Sequence, residues 1–163
     1  MIIINKSGVL KYKVLKFRCT LGKAGVGNKK GEGDNITPKG NYKIVTIYYR
    51  KDRVKKITSK IKLIQIKKDM GWCDDPRSES YNQLIKLPTN FSCEKLFRKE
   101  NIYDLIIVLD YNMKPTIKNR GSAIFIHVAR KKFSKTAGCI ALKKSHLRKL
   151  IKEINKKTKI IIY

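Results

Sequence analysis

Acidic side chains are what this 163-residue chain most lacks: 12 Asp and Glu stand against 39 Lys and Arg, a net charge of +27. So cationic a surface attracts polyanions in a salt-dependent way. Arginine is scarce too, at 8 against 31 lysines, and the single Trp stands apart from any basic cluster. Base readers use Arg for bidentate contacts and interleave aromatics for stacking. The even spread of lysine, with abundant Ile and little Ala, reflects an AT-rich genome, and no specific nucleic-acid partner is expected. Cysteine numbers four (Cys19, Cys73, Cys93, Cys139), with no CxxC, and the two histidines, His127 and His146, make no zinc-like spacing with them. No zinc site is therefore expected, and nothing in the sequence pairs the thiols into disulfides.

Long apolar runs are also missing. No window approaches the ~18 residues needed to span a bilayer. The opening MIIINKSGVLKYK has three isoleucines, then a polar turn and no small-residue cleavage site, so it does not read as a signal peptide. A cytoplasmic chain, another export route or a missing leader are the alternatives. The length suits one domain, residues 1–163, with a sizeable core.

What is present is mostly strand. Residues 2–4 and 9–14 read as strands joined by the turn Asn5-Lys6-Ser7-Gly8, with Leu10, Tyr12 and Val14 alternating with lysines. From Leu15 to Leu21 the apolar phase shifts by one, which requires a turn or bulge near Val14. Residues 22–40 hold six of the ten glycines without the Walker or dinucleotide spacing, and read as a loop that ends in a rigid turn at Thr37-Pro38-Lys39-Gly40. Strands follow at 41–50 and 62–67, with a basic loop between them. Gly71 to Tyr81 reads as irregular, and 91–98 as a short helix capped by Ser92. Tyr103–Asn112 and Ser122–Val128 are continuous apolar runs, expected to be covered on both faces. Ser145 is expected to cap a helix with the stripe Leu147, Leu150, Ile151 and Ile154, leaving His146 solvated. Thr158–Tyr163 closes the chain as a strand. About eight strands and one or two helices make a mainly β sandwich or barrel.

Within this layout, Gly121–Leu142 carries the chemistry. Its strand ends at His127, and a basic loop leads through Thr136-Ala137-Gly138 to Cys139. A thiol nucleophile needs a base or positive surroundings to ionise, and a histidine eleven residues upstream can be that base. Gly138 lets the backbone approach a reacting carbonyl, and N–H groups of such a turn can form an oxyanion hole. This pairing predicts a lowered Cys139 thiol pKa. No Asp or Glu lies between His127 and Cys139. The group that orients the imidazole is then a backbone carbonyl, a hydroxyl such as Ser122 or Thr136, or a distant carboxylate.

Thr136-x-Gly138-Cys139-Ile140 after a strand ending in His127, with Thr37-Pro38-Lys39-Gly40-Asn41-Tyr42 upstream, resembles the L,D-transpeptidase (YkuD-like) catalytic domain family. The resemblance spans about residues 15–150. It implies a β-rich fold and a cell-envelope or periplasmic cysteine acyltransferase that cross-links peptidoglycan stem peptides through a thioester. Hydrolysis on the same substrates, or a non-catalytic wall-binding module, are the alternatives. It also implies covalent inhibition by carbapenem-type β-lactams, and chemistry that needs no metal and no cofactor. The commoner pattern has arginine two residues after the cysteine and glycine after the histidine; here Ala141 and Val128 stand there. Arg130 or Arg120 is the candidate replacement charge for a substrate carboxylate. Thr136, Trp72, Asp74 and Tyr81 complete the candidate substrate surface, and the cross-link type stays open.

Overall fold

The computed structural model describes residues 1–163. Strands β1 (Ile2–Asn5), β2 (Val9–Tyr12) and β3 (Leu15–Thr20) form an antiparallel meander. The Asn5 side chain closes the first turn by accepting from the Val9 N–H and the Ser7 hydroxyl. Lys13 and Val14 make the second turn, with Lys13 at φ 52°, the left-handed conformation that two-residue hairpins favour. That turn is the source of the phase shift at Val14, whose side chain is fully out in solvent.

The glycine-rich segment is more ordered than a plain loop. Within it β4 (Val26–Gly27) pairs in parallel with β5 (Thr37–Pro38), so Thr37-Pro38 is strand and not the expected turn. The chain continues through β6 (Gly40–Tyr49), β7 (Leu63–Gln65), β8 (Met70–Cys73), β9 (Leu84–Lys86), β10 (Cys93–Lys95), β11 (Leu105–Leu109), β12 (Phe125–Val128), β13 (Ile140–Leu142), helix α1 (Lys144–Glu153) and β14 (Lys159–Ile162). The fold is mainly β, as expected, with one α-helix. Because β6 pairs with both β14 and β11, the main sheet closes on itself as β6–β11–β12–β13–β3–β2–β1–β14. Closure leaves few open edges in this ring. A separate antiparallel sheet, in the order β10–β8–β9, lies apart from it.

Alternation along β11 and β12 explains why both runs are continuously apolar. Leu105, Ile107, Leu109, Ile124, Ile126 and Val128 join the main core, together with the helix stripe Leu147, Leu150, Ile151 and Ile154. Ile106, Val108 and Phe125 point the other way, into a second buried cluster with Tyr48, Ile66, Trp72, Leu96, Ile102 and Tyr103. The barrel wall is thus covered on both faces here.

Four further local expectations fail. Residues 91–98 contain β10 instead of a helix, because Cys93, Glu94 and Lys95 zip onto β8; pairing overrides a weak helical preference. Gly71–Tyr81 is not wholly irregular, since β8 runs to Cys73. Ser145 does not cap α1: the helix begins at Lys144, with Lys143 at its cap and no side-chain capping bond, so Ser145 lies inside the first turn. His146 is not simply solvated either. Its ring stacks on Phe17 at 4.6 Å and 15°, and its buried Nδ1 has no partner.

The helix stripe belongs to the main core, so truncating it opens a cavity inside the barrel assembly. Leu150→Ala is expected to lose about 2–5 kcal/mol, read as a lower urea midpoint at unchanged slope.

Candidate active site

His127 and Cys139 come together through one strand pairing. Strand β12 runs parallel to β13 with Ile126 opposite Ile140 and His127 opposite Ala141. Cys139 and Ala141 are two apart, so they share a face, and it is the face of Phe125 and His127. Both residues line a single cleft of about 670 Å³ between the barrel wall and the β8–β10 sheet. Cys139 is partly accessible and His127 is buried.

The His127 Nδ1 lies 2.9 Å from the backbone O of Val128. A carbonyl only accepts, so Nδ1 carries the proton and Nε2 is left as the acceptor. The orienting group is therefore the backbone carbonyl, one of the alternatives the sequence leaves open. The Tyr103 ring stands edge-on to the imidazole at 5.6 Å and 86°. Tyr103 in turn donates its hydroxyl proton to Glu94 at 3.2 Å, and Arg98 donates to the same Glu94 oxygen at 3.0 Å.

No hydrogen bond joins His127 to Cys139. The thiol donates to the Ala123 carbonyl at 3.1 Å, and the Phe125 N–H donates to its sulfur at 3.4 Å. Ala123 holds φ 52°, a left-handed conformation that alanine rarely adopts. Asn82 helps fix it there: its Oδ1 accepts from the Ala123 N–H and from Trp72 Nε1, while its Nδ2 donates to the carbonyls of Tyr111 and Asn112. Asn82 is buried and was not legible as part of the site; its only sequence signal is an Asn next to an aromatic in an irregular stretch.

Burial decides the protonation states. It pushes the Cys139 thiol up to about 12, with Glu94 adding to the rise and the Phe125 N–H and Lys29 opposing it. The expected lowering of this thiol is overturned, because the charge-bearing neighbours do not offset desolvation. Burial also takes His127 down to about 4, helped by Arg130 and Arg98 and opposed by the Val128 bond. The resting pair is neutral thiol and neutral imidazole.

The other sequence candidates divide. Arg130 and Asp74 line the cleft, and Asp74 Oδ1 is buried without a partner. Thr136 also lines it, but its hydroxyl donates to the Cys139 carbonyl at 2.6 Å and accepts from the Gly138 N–H at 3.1 Å. It shapes the Cys139 turn, and it takes up the Gly138 N–H, which is then no free oxyanion donor. Gly138 itself is demanded by its φ of 142°, and an added Cβ would sit 2.9 Å from the Ile36 carbonyl. Three candidates are misplaced. Trp72 is a core residue, edge-on to Phe125 at 5.3 Å. Tyr81 is fully buried, donating to Glu32 and accepting from the Gly121 N–H. Arg120 is exposed and away from the cleft, and only its carbonyl is used, by Tyr111. Large polar aromatics near a motif fill space more readily than they face substrate.

The glycine-rich segment contributes a wall that the sequence did not reveal. Asp34 gathers the Lys29 ammonium at 2.6 Å and the N–H groups of Lys30, Gly31 and Ile36. Although burial alone would raise it, these donors hold the Asp34 carboxyl down to about 2. The loop's N–H groups thus cradle an internal carboxylate and not a phosphate. Lys29, nearly buried, lies against Gly121 and Gly138 and reaches the cleft. Thr37 anchors the loop base by accepting from the Gly22 N–H at 2.8 Å.

A closed β-barrel with a histidine strand laid parallel to a cysteine strand defines a β-rich cysteine-site protein. The chain belongs to the L,D-transpeptidase catalytic-domain (YkuD) family, whose model matches residues 1–162. No curated protein sequence matches it. Among solved structures, Bdellovibrio bacteriovorus Bd1075 aligns with a TM-score of 0.55 at 16% identity, covering 100% of this chain and 47% of that one. The Ldtfm–avibactam carbamoyl enzyme aligns at 0.49 and 12% identity, covering 99% and 47%. Mycobacterium tuberculosis L,D-transpeptidase 1 aligns at 0.45 and 10%, covering 99% and 60%. At such identities the likeness to Bd1075 concerns the fold, and the chain spans about half of that protein's length.

Two measurements check the electrostatics. Iodoacetamide alkylation of Cys139 is expected to climb roughly tenfold per pH unit through pH 9 and beyond, whereas a plateau near pH 7 would mean a resting thiolate. For His127, the unfolded chain takes up its proton near the ordinary value of 6.5 and the folded chain only near 4. Stability therefore falls as pH drops from 6.5 to 4, and His127→Gln is expected to flatten that part of the Tm profile.

Proposed function

We propose that this chain is a cysteine acyltransferase of the L,D-transpeptidase type, one catalytic domain over 1–163, acting on peptidoglycan stem peptides in the cell envelope. The observation that supports it is the convergence of Cys139 and His127 on one face and one cleft, with the imidazole turned by Val128 so that Nε2 is the free acceptor.

In this reading the donor peptide's carbonyl enters beside the Cys139 sulfur. The thiol leaves the Ala123 carbonyl and gives its proton to His127 Nε2 as sulfur attacks. Proton transfer and attack are coupled, because a thiolate facing a buried imidazolium is costly in this site. The Gly138 N–H is already engaged, so the Cys139 N–H, which donates to no protein acceptor, is the nearest oxyanion donor. The tetrahedral centre collapses, the bond to the leaving D-amino acid breaks, and the imidazolium returns the proton to its amine. A thioester remains on Cys139. An acceptor amine then attacks, loses a proton to His127, and releases the cross-linked peptide and the thiol. Water in place of the amine gives the carboxypeptidase outcome.

Arg130 at the cleft mouth and the Lys29, Lys23 and Lys135 ammonium groups give the cavity cationic character opposite Glu32, Asp74 and Glu94. Arg130 makes no ion pair within the chain and is the candidate partner for a donor carboxylate. The net charge of +27 favours retention on an anionic wall without specifying a bond.

Incubation with a carbapenem is expected to give one covalent adduct on the intact protein, mapped to the Cys139 peptide and lost in Cys139→Ala. An adduct at another cysteine, or sacculus binding without muropeptide turnover by the intact-cysteine protein, would reject the assignment. Arg130→Ala is expected to lower kcat/KM on stem peptides roughly 10-fold or more, consistent with the ~1.5–3 kcal/mol of a hydrogen bond to a charged group, while leaving Cys139 alkylation unchanged.

A further inference from the structure

Cys73 and Cys93 face each other across the small sheet, a pairing the transfer chemistry does not use. In the β8–β10 ladder Cys73 is directly opposite Cys93, with Trp72 opposite Glu94. The Asp74 N–H donates to the Ser92 carbonyl at 3.2 Å. That bond joins the residue after Cys73 to the residue before Cys93, which makes Cys73–Cys93 a non-hydrogen-bonded antiparallel pair. Such pairs are the closer kind, with Cα atoms about 4.5 Å apart and side chains on the same face. That separation lies within the range a disulfide spans. Both thiols are free.

Local packing leaves room for the bond. Residue 71, beside the pair on the same face of β8, is glycine, and a Cβ there would sit 3.2 Å from the Cys93 sulfur. The Cys73 sulfur makes only a long contact, 3.9 Å, to the Asp75 carbonyl. Joining the sulfurs takes side-chain rotation and no strand shift. Access is one-sided. Cys73 is fully buried, whereas Cys93 lines an open groove with Lys68, Leu87, Phe91 and Lys95.

We infer that Cys73 and Cys93 form a cross-strand disulfide by exchange with a small disulfide oxidant, and that this bond clamps the wall of the active-site cleft. The Cys93 thiolate attacks the oxidant's S–S bond and expels one thiol. Cys73 then loses its proton, attacks the Cys93 sulfur of the mixed disulfide and expels the second thiol. The protein gives up two hydrogens, and the oxidant is reduced to two thiols. Asp74 and Glu94, the residues directly after the two cysteines, both line the cleft, and Glu94 holds Tyr103 beside His127. The clamp sits on the face of the sheet turned away from them. Burial and the Asp74 carboxylate raise the Cys93 thiol pKa, so exchange quickens with pH.

The test uses the whole reduced chain and oxidised glutathione under native conditions, quenched with acid and read by mass spectrometry. The expected product is ~2 Da lighter, with two of the four thiols alkylatable after denaturation and a nonreduced peptide linking Cys73 to Cys93. Cys73→Ser is expected to stop at a glutathione adduct on Cys93. Four thiols retained by the wild-type chain, a stable glutathione adduct on its Cys93, or a link to Cys19 or Cys139 would each overturn the inference. The readout is a bond mass, so it stands apart from whether Cys139 transfers acyl groups.

Discussion

The parallel pairing of β12 with β13 is the constraint on which the site depends. Parallel neighbours need a long connection, and here residues 129–139 supply it as a basic loop. The register sets His127 opposite Ala141 and leaves Cys139 one step before its strand, on the same face. A slip of one residue would turn Cys139 into the main core and Ile140 into the cleft. Register is held from both faces. Ile126, Val128, Ile140 and Leu142 are locked into the barrel core, while Phe125 is locked against Trp72 and Tyr103. Trp72, which the sequence reading puts at the substrate surface, acts one layer behind it, as part of what fixes the register.

The immediate surroundings of Cys139 come from far along the chain. Ala123 presents its carbonyl to the thiol only because its backbone is left-handed, and Asn82 is among the groups that hold it so. The Asp34 nest folds the glycine-rich segment so that Lys29 lies against Gly121 and Gly138. Each arrangement satisfies buried polar groups with side chains that look unremarkable in the sequence. The Cys139 turn is thereby held in one geometry by the fold itself, the positional precision that the proposed chemistry would need.

The sequence was most informative where one physical rule dominated. Alternation marks β2 and β3, and unbroken apolar runs mark β11 and β12 and imply their two covered faces. The helix stripe was visible because Leu147, Leu150, Ile151 and Ile154 recur at helical spacing. The small sheet escaped because its strands are three or four residues long and held by pairing, with little pattern of their own. The backbone role of Val128 in orienting His127 left no side-chain signature. The thiol pKa departs from its sequence expectation for a related reason: a histidine nearby in sequence suggests activation, but the outcome depends on burial and on where the thiol proton points, and neither is written in spacing.

The neutral resting pair bears on how such a site discriminates. A thiolate held permanently beside an imidazolium would react with many electrophiles. Here the thiol is parked on the Ala123 carbonyl, and the imidazole resists protonation until near pH 4. If Cys139 transfers acyl groups as proposed, reaction requires a ligand that draws the sulfur away from Ala123 and offers a carbonyl within reach of His127 Nε2. On the acyl-transfer reading, charge recognition falls to residues outside the motif. Ala141, buried beside His127, has no side chain to hold a carboxylate, whereas Arg130 follows β12 by two residues and opens onto the same cleft. On the acyl-transfer reading, the carboxylate contact has moved from the strand after the cysteine to the loop after the histidine. The donor peptide is then gripped on the His127 side of the cleft, so reactivity and substrate placement depend on the same strand end.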